Sequence, residues 1–313
     1  MDKKMFFLDL DGTTLRDDKT IPEENITAIR EAADRGHYVA IATGRSTVSA
    51  LPIAKQLGML RKGCFLISYN GTKILTLENM EMLRELFLPV EDAAYLFAEA
   101  ERYRVHVQAY GGDEILARRE SPELDFYANQ SKMEYRIIPG LYASQLNMGC
   151  RMVPGLYAAG ELPSRMLSKD VSGSEMMPES YESKEAVSVA TPKVLLASLK
   201  DRALLEKFRE DHREWESGRC VSFFSAPEYL EYCPLHGTKA DGIVFFENYL
   251  GIAHENTVAM GDEENDLAMI RAAGVGVAMP NAAESIRRCA DFVPEHDNNT
   301  AGVAEVIRQF LEL

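Results

Sequence analysis

The chain has 313 residues, about twice the common domain size, so one large or two ordinary domains with a sizeable buried core are expected. Hydrophobic residues make up 46% and charged residues 27%, which excludes a disordered chain and a disulfide-stapled peptide. Lys plus Arg number 34 against 49 Asp plus Glu, a formal charge of −15 that repels nucleic-acid phosphates and anionic lipid, so a phosphorylated ligand must meet local positive charge.

A strand is predicted over 5–10, a helix over 22–35, a strand over 38–42, a helix over 46–57 and a strand over 65–68, from the alternation of short apolar runs with amphipathic segments. Thr20 before Ile21 and Pro22, with Glu23 and Glu24 in the first turn, reads as the cap of the first helix, and Gly36 as its stop. The middle changes character: a helix over 91–102, strands over 105–109 and 114–118, a helix over 201–213 and a strand over 220–225 read as an α+β insert. Between them, about 139–190 is rich in Pro, Gly, Ser and Met and echoes itself, RIIPGLYAS at 136–144 and RMVPGLYAA at 151–159. A small duplication in a surface excursion and a flap over a ligand both fit such a stretch. Alternation returns with a helix over 240–249, a strand over 257–260, a helix over 266–273, a strand over 275–279 and a helix over 301–311. The fold class expected is α/β, a Rossmann-like parallel sheet with helices on both faces, carrying an inserted α+β domain. Its division is core 1–84, insert 85–235 and core 236–313, with hinges near 85–89 and 232–237.

The five cysteines (Cys64, Cys150, Cys220, Cys233, Cys289) are odd in number and form no C-x-x-C pair, so buried, reduced thiols are expected rather than a disulfide framework or a zinc site. The six histidines include no H-E-x-x-H, and neither G-x-x-x-x-G-K-[ST] nor a complete G-x-G-x-x-G occurs. No apolar run approaches a membrane span, and Asp9 and Asp11 interrupt the hydrophobic stretch at the start. A cytoplasmic protein with neither nucleic-acid nor membrane partners is expected.

The first strand ends in Asp9-Leu10-Asp11-Gly12-Thr13, and the late strand over 257–260 ends in Gly261-Asp262-Glu263-Glu264-Asn265-Asp266. Each alone is also a turn or a capped helix start. Both lie at the carboxyl ends of parallel strands, where open α/β sheets put their crevices. If the fold joins them, Asp9, Asp11, Asp262 and Asp266 crowd together, and each like-charged pair near 4 Å costs about 4 kcal/mol at an effective dielectric of 20. An all-oxygen set of this kind favours a hard cation, with Mg²⁺ the natural candidate. Thr43-Gly44-Arg45 after the second strand, and Lys239 opening a late helix, supply donors for a phosphoryl group. Taken alone, Thr43 reads sooner as a helix cap and Lys239 as a solvated cation.

In this order FFLDLDGTTL (6–15), TGR (43–45), Lys239 and GDEENDLAMI (261–270) resemble the four motifs of the haloacid dehalogenase superfamily of phosphohydrolases, most closely its Cof-like, type IIB branch. Asn70-Gly71 resembles that family's core loop, and MPNAAESIRRCADFV (279–293) with AGVAEVI (301–307) its C-terminal pattern, while the middle corresponds in position to its cap domain. The resemblance implies a Mg²⁺-dependent phosphatase of a small soluble phosphomonoester, a sugar phosphate or phosphorylated cofactor. It makes Asp9 the nucleophile and Asp11 a general acid and base with a locally raised pKa. Thr43 then binds phosphoryl oxygens and Lys239 neutralises charge. Mg²⁺ is held by Asp262, the Asp9 carboxylate and the Asp11 backbone carbonyl, and Asp266 is either a metal neighbour or Lys239's partner. Gly44, Arg45, Asn70 and Asn281 are placed near substrate. Ala240 and Pro280 stand where the family usually has glycine, without removing a functional side chain. A phosphomutase and a phospho-Asp signalling receiver are the alternatives; a receiver needs neither an acid at the Asp11 position nor an inserted cap.

Overall fold

In the computed structural model, which describes residues 2–143, 151–152 and 187–311, the chain opens with β1 (Met5–Leu8), α1 (Glu23–Asp34), β2 (Tyr38–Ala42), α2 (Thr47–Gln56), β3 (Cys64–Ser68), β4 (Lys73–Thr76) and β5 (Met82–Glu85). It continues through α3 (Val90–Tyr103), β6 (His106–Gly111), β7 (Glu114–Ala117), α4 (Pro122–Ser131), β8 (Glu134–Ile137), β9 (Arg151–Met152), β10 (Val187–Ser188), β11 (Val194–Ala197), α5 (Arg202–Asp211), α6 (Arg213–Glu216), β12 (Cys220–Ala226) and β13 (Tyr229–Pro234). It closes with α7 (Lys239–Leu250), β14 (Thr257–Gly261), α8 (Glu264–Ala272), β15 (Val275–Ala278), α9 (Glu284–Arg287) and α10 (Gly302–Leu311).

Seven strands form one sheet in the order β15-β14-β1-β2-β3-β4-β5, the first five parallel and the last two antiparallel. β1 is apolar throughout and takes an interior place. Its Phe6 and Leu8 pack with Ile29 of α1 and Ile307 of α10, while Met5 and Phe7 pack on the opposite face with Phe246 of α7 and Met269 of α8. The chain leaves β1 toward β2 on one side and returns to β14 on the other, so strand order reverses at β1 and opens a crevice at the carboxyl ends.

The insert forms a six-stranded sheet, β12-β13-β11-β6-β7-β8, antiparallel except for the β7–β8 pair. Phe97 of α3 and Phe208 of α5 cover one face. On the other, Leu124 and Tyr127 of α4 pack with Tyr110, Leu195 and Tyr229, and Tyr69 from the loop after β3 joins them. That second face therefore looks onto the first sheet. Together these sheets make an α/β core with helices on both faces and an α+β cap.

Several expectations need correction. Thr20 does not cap α1: Pro22 is the N-cap residue, and Thr20 donates instead to Asp18, its N–H at 2.9 Å and its hydroxyl at 2.6 Å. The helix expected over 201–213 breaks at His212 into α5 and α6. α4 lacked a clear apolar stripe, yet Ser121 caps it, accepting from the Leu124 N–H at 3.1 Å, and Pro122 opens its first turn. The first copy of the echoed segment docks into the cap, where Leu141 and Tyr142 are buried and Arg118 donates to their carbonyls at 2.5 and 2.6 Å. Most of the second copy, and with it the flap reading, lies outside the described residues. Cys64, Cys220 and Cys233 are buried free thiols; Cys289 is a free thiol that is only half-buried, against expectation, and Cys150 lies outside the described residues. Among the described residues no helix is long and apolar enough to cross a membrane.

Candidate active site

Strand register assembles the site. Leu8 is level with Met260 of β14 and Ile41 of β2, so Asp9, Asp262 and Thr43 emerge side by side just beyond the strand ends. The Asp9 N–H is tied to the Met260 carbonyl at 3.0 Å, and Thr14 Oγ1 donates to the Asp9 carbonyl at 2.5 Å. Gly12, at φ +78°, lets the loop turn back, and a Cβ there would overlap the Asp262 carboxylate.

Asp9 Oδ1 accepts from Lys239 Nζ at 2.6 Å, and Lys239 also donates to Asp266 Oδ1 at 2.5 Å. Lys239 reaches them from the first residue of α7, a helix closed by a capping box between Thr238 and Asp241. Asp266 Oδ2 accepts the N–H groups of Asp262 and Glu263 at 3.0 and 3.1 Å, so both its oxygens are engaged. Asp262 takes the Thr13 hydroxyl at 2.9 Å. Lys239, Asp266, Asp9 and Asp262 are all buried.

Three buried carboxylates with one ammonium leave negative charge uncompensated. Burial, with Asp266 beside it, pushes Asp9 up to about 7 despite Lys239; burial, with Asp9 and Asp266 nearby, pushes Asp262 up to about 9. Oxygens of Asp9, Asp262 and Asp266 lie within 4.8 Å of one another. A hard divalent cation among these oxygens would remove the strain, so the donor set fits Mg²⁺.

Asp11 departs from expectation. Its carboxylate takes Arg45 bidentately, Nε at 2.6 Å and the terminal nitrogen at 2.7 Å, and Lys19 at 2.9 Å. Burial works to raise its pKa, but the two cations outweigh it and hold Asp11 at about 2, where a raised value was expected.

Asp9, Asp11, Thr43, Gly44 and Arg45 line one cavity between the sheets, whose far wall is Tyr127, Gln130, Ser225, Tyr229 and Glu231 of the cap. Asn70 and Asn281, expected near substrate, are not among the residues that line it. Asn70 donates to Glu231 at 2.6 Å and accepts from Asn265 at 3.1 Å, while Asn281 donates to the Gly12 carbonyl at 2.8 Å and lies 3.4 Å from Asp262. Sequence reasoning missed Lys19 and every cap residue. Lys19 had a signal, a cation in the turn just after the Asp9–Gly12 loop; the cap residues, scattered over α4, β12 and β13, had none.

The chain matches the family of haloacid dehalogenase-like hydrolases over residues 6–307. It is 26% identical over 311 residues, 99% of this chain and 97% of the relative, to the 5-amino-6-(5-phospho-D-ribitylamino)uracil phosphatase of Bacillus subtilis (strain 168). It is 25% identical over 285 residues, 91% of this chain and 86% of the relative, to the HMP-PP phosphatase of Klebsiella pneumoniae (strain 342). A crystal structure of a haloacid dehalogenase-like hydrolase from Bacteroides thetaiotaomicron superimposes with a TM-score of 0.74 at 27% identity, covering 98% of this chain and 99% of that one. A carboxylate cluster at the strand ends, the lysine that bridges it and a match that spans both sheets thus agree: the chain belongs to the haloacid dehalogenase-like hydrolases, as a Cof-like phosphatase.

Proposed function

We propose that the protein is a Mg²⁺-dependent phosphatase that hydrolyses a small phosphomonoester, of the sugar-phosphate or phosphorylated-cofactor class, by way of a phosphoryl group carried on Asp9. The observation that supports this best is the Asp9 carboxylate itself, which faces the cavity with one oxygen 2.6 Å from Lys239 and two more buried carboxylates beside it. The small phosphorylated compounds named for the relatives point to the same substrate class. No observation favours a phosphomutase or a receiver.

In this reading an ionised Asp9 attacks phosphorus without a base, forming an acyl phosphate as the leaving oxygen departs. Thr43 and Arg45 bind the phosphoryl oxygens, and Lys239 neutralises the charge gathered on Asp9. Once substrate oxygens draw the Arg45 fork away, the Asp11 carboxylate takes up a proton from solvent, gives it to the leaving oxygen and later takes one from the water that cleaves the acyl phosphate. Asp9, Asp262 and the Asp11 carbonyl hold Mg²⁺, which when bound offsets the charge of the transferring group. Asp266 positions Lys239. We extend the reading to the division 1–84, 85–235 and 236–313, with the insert as cap, and to a cytoplasmic location.

The test is a panel of phosphorylated metabolites assayed for phosphate release with Mg²⁺ and again with chelator. Release is expected only with the metal; release that survives chelation would remove Mg²⁺ from the reading. Gly12→Ala provides a second check, since its methyl must displace Asp262. We expect phosphate release to fall on the order of 100-fold, in line with a misplacement near 1 Å, together with a higher Mg²⁺ concentration for half-maximal rate.

A further inference from the structure

Three successive carbonyls of the loop after β2 are each held by a donor from another segment. The Asn70 N–H donates to Thr43 O at 2.9 Å, Lys193 Nζ to Gly44 O at 2.9 Å, and the Tyr69 N–H to Arg45 O at 2.9 Å. Two of these donors belong to the loop after β3. The third crosses from the cap, where Lys193 immediately precedes β11.

Lys193 is fully buried, and its other partner is Glu231 Oε2 of β13 at 2.6 Å. The same Glu231 oxygen accepts from Asn70 at 2.6 Å, while Oε1 takes the Ser225 hydroxyl at 2.6 Å. Burial opposes the Lys193 charge, yet Glu231 outweighs it and holds the ammonium above the ordinary lysine range. Such a pair is weak evidence for stability, because apolar residues of equal volume often serve as well. What the pair supplies is direction: pinned by Glu231, the ammonium presents a donor to one carbonyl of the core. With its three carbonyls so engaged, the loop is fixed where Thr43, Gly44 and Arg45 line the cavity, the Thr43 hydroxyl accepting the Arg45 N–H at 3.1 Å.

We propose that Lys193 and Glu231 are positioning residues for phosphoryl binding, so that a loop of the core acquires its working geometry only when the cap supplies this pair. The proposal rests on the reading of Thr43-Gly44-Arg45 as the phosphoryl-binding loop. Lys193→Met combined with Glu231→Gln removes both charges at nearly constant volume. Inorganic phosphate, titrated calorimetrically against wild type and variant, is expected to bind the variant 10- to 100-fold more weakly, roughly the effect of a small misplacement. The kcat/KM for p-nitrophenyl phosphate and for the best metabolite should fall by a similar factor. Unchanged phosphate affinity with a lower melting temperature would show a merely structural pair and overturn the proposal. Loss confined to the metabolite would show leaving-group recognition and overturn it equally. Should the double variant not fold, Glu231→Gln alone, which keeps the shape and a hydrogen-bonding group toward Ser225 and Asn70, is expected to weaken phosphate binding in the same direction. Because the phosphate titration needs no turnover, failure here is separable from failure of the nucleophile assignment, which Asp9→Asn decides.

Discussion

Replacing Asp9 by Asn is expected to lower phosphate release by at least about 10⁴-fold in an enzyme that remains folded. The amide keeps the shape of the carboxyl but attacks phosphorus poorly, and Lys239 retains Asp266 at 2.5 Å as its anionic partner. The variant should also melt higher than wild type in chelator, because Asp9 is pushed up to about 7 chiefly by burial and an uncharged group there no longer pays that desolvation. Initial rates against the best substrate, with thermal melts on the same preparations, check both halves. Turnover near the wild-type level would remove Asp9 from the nucleophile's place.

The second large effect concerns Asp262. Burial and the neighbouring Asp9 and Asp266 push its carboxyl up to about 9, so the metal-free folded protein keeps a proton at Asp262 between about pH 4 and 9, and one at Asp9 between about pH 4 and 7, that the unfolded chain has shed. These groups therefore weaken the metal-free fold progressively as pH rises through that window, and weaken it least near its acid end. A cation bound to the ionised carboxylates acts oppositely, and its stabilising effect grows with pH. Asp262→Asn is expected to raise the metal-free melting temperature at pH 8 on the order of 5 °C. It should flatten the pH dependence and abolish the increment that Mg²⁺ gives wild type. Melts from pH 5 to 9, with chelator and with Mg²⁺, read all three. A Mg²⁺ increment that survives the substitution would move the cation elsewhere.

The core side of the candidate site was legible in the sequence because its residues follow strands that the apolar pattern already locates. Once β1, β2 and β14 are parallel neighbours in register, Asp9, Thr43 and Asp262 have to meet. Lys239 and Asp266 were legible for a related reason, each lying in the first turn of a helix that packs on that sheet. Local pattern could not show what stands opposite. Lys193 and Glu231 lie 38 residues apart in sequence and look like ordinary charges until antiparallel pairing brings their strands together under full burial. The ionisation of Asp11 was misjudged for the same reason, since the motif does not reveal that Arg45 and Lys19 both close on it. β11, a run of four apolar residues, carries too little periodicity to tell strand from helix. Thr20 was misread because a cap and a turn select the same hydroxyl, and Asp18 was the stronger local acceptor.

Tyr69 gives the two halves of the molecule a mechanical relation. It sits at φ +49° at the end of a core strand, its ring 5.4 Å from that of Tyr110 and enclosed by the second sheet, while its own N–H braces Arg45. One residue is thus a plug in the cap's socket and a strut of the cavity floor. Exchanging lids between relatives is therefore not a matter of matching linker lengths: a transplanted lid has to bring a cavity shaped for this aromatic ring, or the floor beneath it shifts.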